Sequence, residues 1–266
     1  MRKAIFTIMI GQDPSYAVVR KSFETYAHKV NADLICTTSL NYGELTKSRG
    51  FSQRHCAWFE KIRMKDLLEK YDRVLYLDAD ILITPHAPDI FSTYPETDAV
   101  YMLNEGPLAD RQKTISQLLS LLPLEKAWPK NTYYNSGVML ISQESNFFQH
   151  INMDDFLNLP GKVSMYDQTY FNYLLLRHGL KTQSISQDFN RMSIFGHENY
   201  LSGNFIHYAG GGYCEHMKLR YRTIINDYIK LYKDPESKLQ QSLVKIKSDL
   251  QFLSHQVMRN LSKPFS

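Results

Sequence analysis

Asp72-Arg-Val-Leu-Tyr-Leu-Asp-Ala-Asp-Ile-Leu-Ile-Thr84 encloses an apolar run into which two carboxylates, Asp78 and Asp80, are set with a single alanine between them. Val74 to Leu77 predicts a central strand, because a short apolar, β-branched run bounded by turn signals suits a sheet covered on both faces. Asp78 and Asp80 then fall at its carboxyl end, where open α/β sheets place their ligands. An ionised carboxylate taken out of water costs several kcal/mol unless it is paired. Two of them flanking one alanine therefore imply a compensating cation, and a hard divalent metal that bridges to phosphate oxygens fits. The alternative is that both carboxylates are solvated in a loop or paired with arginines.

Working outward, Ala4–Ile10 predicts a strand, and Asp13-Pro14 predicts the cap and first turn of a helix. Tyr16, Val19, Phe23, Tyr26 and Val30 follow at spacings of three and four, an amphipathic helix. With a strand over Asp33–Thr37 the first forty residues form a β-α-β unit, the opening of a nucleotide-binding sheet. Asn41–Ser52 is polar and predicts a loop. One helix is expected from Gln53 to Lys70, burying Phe59, Ile62, Leu67 and Leu68. Further strands are expected over Ala99–Leu103, Gly137–Ser142 and Phe205–Tyr208, and helices over Ile115–Leu124, from Asp167-Gln168 onward and over Leu219–Leu231. The three glycines Gly210 to Gly212 supply backbone amides able to approach a phosphate closely, or a plain turn.

Composition bounds the class. The 266 residues, 43% hydrophobic and 22% charged, describe a globular chain with room for a large core. No run of about eighteen apolar residues occurs, and Met1–Ile10 is too short to span a bilayer and precedes no small-residue cleavage site. The expected location is the cytosol. Cys36, Cys56 and Cys214 are odd in number and widely spaced, which suits reduced thiols, and neither His55-Cys56 nor Cys214-x-His216 has zinc-site spacing.

From Lys218 to Lys263 ten Lys or Arg stand against four Asp or Glu, a net +6, while the rest of the chain carries 21 against 23. Leu239, Leu243, Ile246, Leu250, Leu253 and Val257 form a heptad seam there. The reading is a catalytic domain over 1–216 and a basic helical appendage over 217–266. The appendage is expected to reach an anionic membrane periphery or to mediate self-association, with docking on the body as the alternative. Nucleic acid is not an expected partner.

Val74-Leu-Tyr-Leu-Asp-Ala-Asp80, Tyr134-Asn-Ser-Gly-Val-Met-Leu-Ile141, Asp167-Gln168 and His207-Tyr-Ala-Gly210 together resemble, in order and spacing, the motifs of the GT-A-fold glycosyltransferases of family 8, which include glycogenin and bacterial lipooligosaccharide galactosyltransferases. The resemblance runs from about Ile5 to Gly212. It implies an α/β GT-A fold, a Rossmann-like sheet with flanking helices. It also implies transfer of a hexose from a nucleotide-diphosphate sugar, UDP-linked, to a glycan or glycolipid with retention of configuration.

The implied site has Asp78, Asp80 and His207 holding Mn2+, with Mg2+ as the alternative. Asp78, Asp13, Tyr16, Lys61 and Gly210 would contact the donor, and Asn135, Asp167 and Gln168 would surround the transferred sugar. One departure stands out: the resemblance leads to a lysine six residues after the metal histidine, for the leaving diphosphate, and here position 213 is tyrosine. Lys218 or the glycine amides are the expected substitutes. Two other readings remain: a phosphatase of the haloacid-dehalogenase type, whose nucleophile strand Leu75-Tyr-Leu-Asp78-Ala-Asp80 also resembles, and a non-catalytic nucleotide-sugar-binding scaffold.

Overall fold

The computed structural model describes residues 1–214 and 216–233; the heptad seam lies outside them. The chain runs through β1 (Lys3–Ile8), α1 (Tyr16–Val30), β2 (Asp33–Thr37), α2 (Gly43–Ser48), α3 (Gln53–Phe59), α4 (Met64–Leu68), β3 (Arg73–Leu77), β4 (Ile81–Ile83) and α5 (Ile90–Thr93). It continues through β5 (Val100–Asn104), α6 (Gln112–Leu119), β6 (Tyr134–Ser142), α7 (Met153–Leu157), α8 (Tyr166–Arg177), β7 (Thr182–Ser184), β8 (Phe205–His207) and α9 (Arg220–Tyr232). Six strands make one sheet in the order β2-β1-β3-β6-β5-β7, and β4 pairs with β8 in a small second sheet.

β1, β2 and β3 are parallel, as the opening β-α-β pattern predicts, and β3 is fully buried between β1 and β6. Its side chains alternate. Leu75 and Leu77 join the core shared with α1 and α9, whereas Val74 and Tyr76 join the core shared with α8. Both faces of the sheet are thus covered, which is why the strand reads as an unbroken apolar run.

β6 departs from the parallel pattern: it runs antiparallel to both β3 and β5. This orientation brings its amino end, Tyr134–Gly137, beside the carboxyl end of β3, where Asp78 N–H donates to the Gly137 carbonyl at 2.8 Å. β5 in turn ends at the same edge, with Glu105 directly after it.

Several expectations require correction. Residues 41–52 are not all loop: α2 forms because the buried Glu60 carboxylate accepts from Tyr42 N–H (2.9 Å) and Asn41 Nδ2 (3.2 Å), a tertiary anchor invisible in the local sequence. The helix expected over Gln53–Lys70 is broken, with α3 and α4 joined by a 3-10 turn over Glu60–Arg63. Phe59, Ile62, Leu67 and Leu68 are buried as expected. Asp13 does not cap α1 and Pro14 does not open it. Ser15 holds the N-cap position, and Asp13 Oδ1 accepts from Ser15 N–H (2.9 Å) and Oγ (2.6 Å) in the preceding turn. α6 begins three residues earlier than Ile115 and stops at Leu119, before Pro123, which restricts the residue ahead of it.

α9 is amphipathic and buries Ile224, Ile225, Asp227 and Tyr228 in the core that also holds α1. The Asp227 carboxylate accepts from the hydroxyls of Tyr200 (2.5 Å) and Tyr208 (2.9 Å) and pairs with Lys230 (2.8 Å). Among the described residues no helix is long and apolar enough to cross a membrane, and the three cysteines are free thiols.

Candidate active site

A cavity of about 800 Å3 opens where β3, β5 and β6 converge, and every sequence-predicted site residue lies on it. A turn closed by Ile81 N–H on the Asp78 carbonyl (3.2 Å) sets Asp78 and Asp80 at the strand end. The β4–β8 pairing places His207 opposite Ile81, one residue from Asp80. Ligand atoms of Asp78, Asp80 and His207 consequently lie within 4.8 Å of one another. His207 Nε2 is 3.4 Å from Asp80 Oδ1 and 3.8 Å from Asp78 Oδ2.

The imidazole is oriented by a chain of amides whose polarity can be worked out from its ends. Glu105 is an acceptor and receives Asn135 Nδ2 at 3.0 Å. Asn135 Oδ1 therefore faces away, accepting from Gly137 N–H (2.9 Å) and Asn190 Nδ2 (3.0 Å). That leaves Asn190 Oδ1 for His207 Nδ1, 2.7 Å away, so Nδ1 carries a proton and donates. In the neutral ring Nε2 is then a lone pair turned toward the two carboxylates. An imidazole lone pair and two carboxylates, with the ring fixed by a neighbouring amide, are a donor set suited to a divalent ion of the manganese or magnesium kind.

Burial opposes the charged forms of Asp80 and His207, yet their mutual hydrogen bond and charges outweigh it. With Arg220 adding to the effect, Asp80 is held well below the usual carboxylate range, and His207 is raised by Asp80, Asp78 and Glu105. Gly137 is required by this packing: a Cβ there would sit 2.3 Å from His207 Cε1 and 3.0 Å from Asp78 Oδ2.

Lys61 is 3% exposed, not a surface lysine, because the 3-10 turn carries it inward. Burial lowers its pKa, but the ion pairs with Asp167 (2.8 Å) and Asp78 (3.4 Å) win and raise it. It also donates to Ser136 Oγ at 3.1 Å. Gln168 Oε1 accepts from Ser136 N–H (3.0 Å) while its Nε2 donates to Glu105 Oε1 (3.2 Å). Glu105, 1% exposed, is thus the hub that fixes both Asn135 and Gln168, and Arg111 neutralises it at 2.6 Å. Tyr16 lines the cavity with Asp13; burial first, then Asp13, pushes its phenol up to about 12.

The glycine run differs from expectation. Gly211 and Gly212 donate their amides to the carbonyls of Tyr208 (3.3 Å) and Ala209 (2.9 Å), closing a turn, and only Gly210 of the three borders the cavity. Tyr213 is turned into packing: its ring stacks on Tyr200 at 4.0 Å and its hydroxyl donates to the Arg191 carbonyl at 3.1 Å. Lys218 does border the cavity, beside Arg220, whose Nη1 lies 2.6 Å from Asp80 Oδ2. Sequence reasoning missed Glu105, Arg111, Asn190 and Arg220. Only Glu105 carried a readable signal, a carboxylate ending an apolar strand just as Asp78 does.

The sequence model described as Glycosyl transferase family 8 matches residues 12–218. Among solved structures, the galactosyltransferase LgtC, in complex with donor and acceptor sugar analogues, is 16% identical with a TM-score of 0.53, covering 90% of this chain and 99% of that one. A glycosyltransferase involved in glycosylation of the major capsid of PBCV-1 is 12% identical (TM-score 0.53), covering 84% and 98%. GlyE of Streptococcus pneumoniae TIGR4 is 14% identical (TM-score 0.52), covering 90% and 64%. At these identities the likeness establishes the GT-A fold. No curated protein sequence matches the chain.

Proposed function

Because the chain belongs to glycosyl transferase family 8 and is a glycosyltransferase, we propose that it moves a hexose from a UDP-linked sugar to a hydroxyl of a glycan or glycolipid, with a manganese or magnesium ion held by Asp78, Asp80 and His207. The observation that carries this reading is the Asp78–Asp80–His207 cluster, with His207 Nε2 facing two carboxylates, on a cavity large enough for a nucleotide sugar. Such an ion, when bound, offsets the charge that develops on a departing diphosphate.

The chain's own residues supply the rest. Tyr16 and Asp13 border the cavity, and the base and ribose would lie against them. Lys61 holds Asp167 and Asp78 in place, and Glu105 holds Asn135 and Gln168, so four polar groups around the sugar are immobilised before substrate arrives, the preorganisation that transition-state stabilisation requires. Asp167 and Glu105 are each engaged by a cation, Lys61 and Arg111, so neither is a free proton acceptor. This supports retention: the bond from the anomeric carbon to the diphosphate oxygen breaks, the bond to the acceptor oxygen forms on the same face, and the departing oxygen takes the acceptor's proton. The phosphatase and scaffold readings give way to the family assignment.

A panel of nucleotide sugars tested for release of nucleoside diphosphate, with and without Mn2+, examines the reading. It predicts release from one UDP sugar that stops when the metal is chelated. Release that is insensitive to chelation, or confined to non-uridine donors, would contradict it.

A further inference from the structure

Asp80 has two oxygens, and one is already taken. Oδ2 lies 2.6 Å from Arg220 Nη1, while Oδ1 faces His207 Nε2 at 3.4 Å. Arg220 is the first residue of α9 and borders the same cavity, as does Lys218. Its helix is tied to the body through the buried Asp227, which accepts from Tyr200 and Tyr208, so Arg220 changes partners by moving its side chain. With 30% of that side chain exposed against 17% for Asp80, the guanidinium sits at the wet mouth of the cluster.

The charge balance decides what Arg220 does. Each carboxylate has its own cation here, Asp80 with Arg220 and Asp78 with Lys61, and Lys61 is also engaged by Asp167, so a divalent ion entering among Asp78, Asp80 and His207 leaves Arg220 as the cation without a partner. A guanidinium left 2.6 Å from a metal-ligating oxygen would then face a like charge a few ångströms away. A planar fork of N–H donors released at that spot matches phosphate oxygens bidentately. Lys218 also borders the cavity, next to Met217 beside Gly211, but its ammonium is a point charge without that fork, and Tyr213, at the position where a lysine is expected, is committed to Tyr200 and the Arg191 carbonyl.

Resting on the function proposed above, we propose that Arg220 is an exchangeable cation of the site. It pairs with Asp80 and opposes entry of the divalent ion when no nucleotide is present, and it passes to the nucleotide's diphosphate when both are bound. Metal and nucleotide thereby bind more tightly together than either does alone.

The test is calorimetry of the full-chain protein with Mn2+ alone and with UDP at saturating Mn2+, comparing wild type with Arg220→Gln and Arg220→Lys. Removing the guanidinium should tighten binding of Mn2+ alone by about threefold or more, since a competing cation is lost. The same change should weaken UDP by about tenfold or more, with Arg220→Lys recovering part of the loss. These opposite signs are what a merely structural arginine would not produce. Arg220→Gln with Mn2+ affinity unchanged or weaker, or with unchanged UDP affinity, overturns the proposal. Should Arg220→Gln fail to fold, Arg220→Lys with UDP affinity equal to wild type overturns it as well. A wild-type protein that binds neither Mn2+ nor UDP overturns the proposed function itself, a distinct result.

Discussion

His207 is useful to a cation only if Nδ1 holds the proton, and Asn190 is the residue that ensures it. The amide is completely buried and set between Asn135 Oδ1 and His207 Nδ1, so its orientation is fixed by partners on both sides. Replacing it with alanine removes the acceptor and frees the ring to flip or change tautomer. Asn190→Ala is expected to weaken Mn2+ binding by about 10–100-fold while leaving a folded protein. At a pH where the ring is neutral, nitrogen chemical shifts of His207 should change from a single Nδ1-protonated form to a mixture; unaltered shifts and affinity would remove Asn190 from this role. Legibility at this scale follows from chemistry. Asp78 and Asp80 stood out because charges inside an apolar run are costly, and Asn135, Asp167, Gln168 and His207 because they fall in ordered blocks. Asn190 and Arg220 carry no such mark. Their roles exist only through partners 17 and 140 residues away in sequence.

Elements place these residues, and two of them do so by breaking their own regularity. The 3-10 turn over Glu60–Arg63 rotates Lys61 from a helix surface into the core, and the antiparallel β6 delivers Asn135 and Ser136 by its amino end. Apolar spacing announced both segments, yet it does not encode strand direction or a tightened turn, which depend on partners far away in the chain. α9 was legible as a helix, but not that its Asp227 would anchor it from within. Asp227→Leu leaves two tyrosine hydroxyls without their acceptor. It should cost about 3 kcal/mol and lower the thermal midpoint by roughly 6–12 °C. A change below about 2 °C would show that α9 is held by its apolar face alone.

At the scale of the whole molecule, two cores cover the two faces of one sheet, and tyrosines are built into both. Burial pushes Tyr16, Tyr133, Tyr170 and Tyr213 up to about 12, whereas unfolded phenols titrate near ~10. Folded-state values above the unfolded ones mean that their contribution is fully present below about pH 10 and is lost as pH rises toward about 12. Denaturant midpoints should therefore hold from pH 8 to about 9.5 and fall steeply above it; a flat profile to pH 11 would contradict the burial.

The segment from Asp234 onward we propose as an attachment device, on its heptad seam and a small excess of five Lys or Arg over three Asp or Glu. A chain ending at Lys233 retains every described core residue, so on this proposal it should fold and still release nucleoside diphosphate, with loss of binding to anionic vesicles or of self-association. An insoluble product would assign the segment to the core.

The central claim is that Asp78, Asp80 and His207 hold the divalent ion that transfer requires. Mn2+ titration calorimetry on wild type, Asp80→Ala and His207→Ala tests it most directly. The account predicts one Mn2+ per wild-type chain and a loss of affinity of about a hundredfold or more in each variant, with melting behaviour little changed. Equal Mn2+ affinity and stoichiometry in either variant would contradict it.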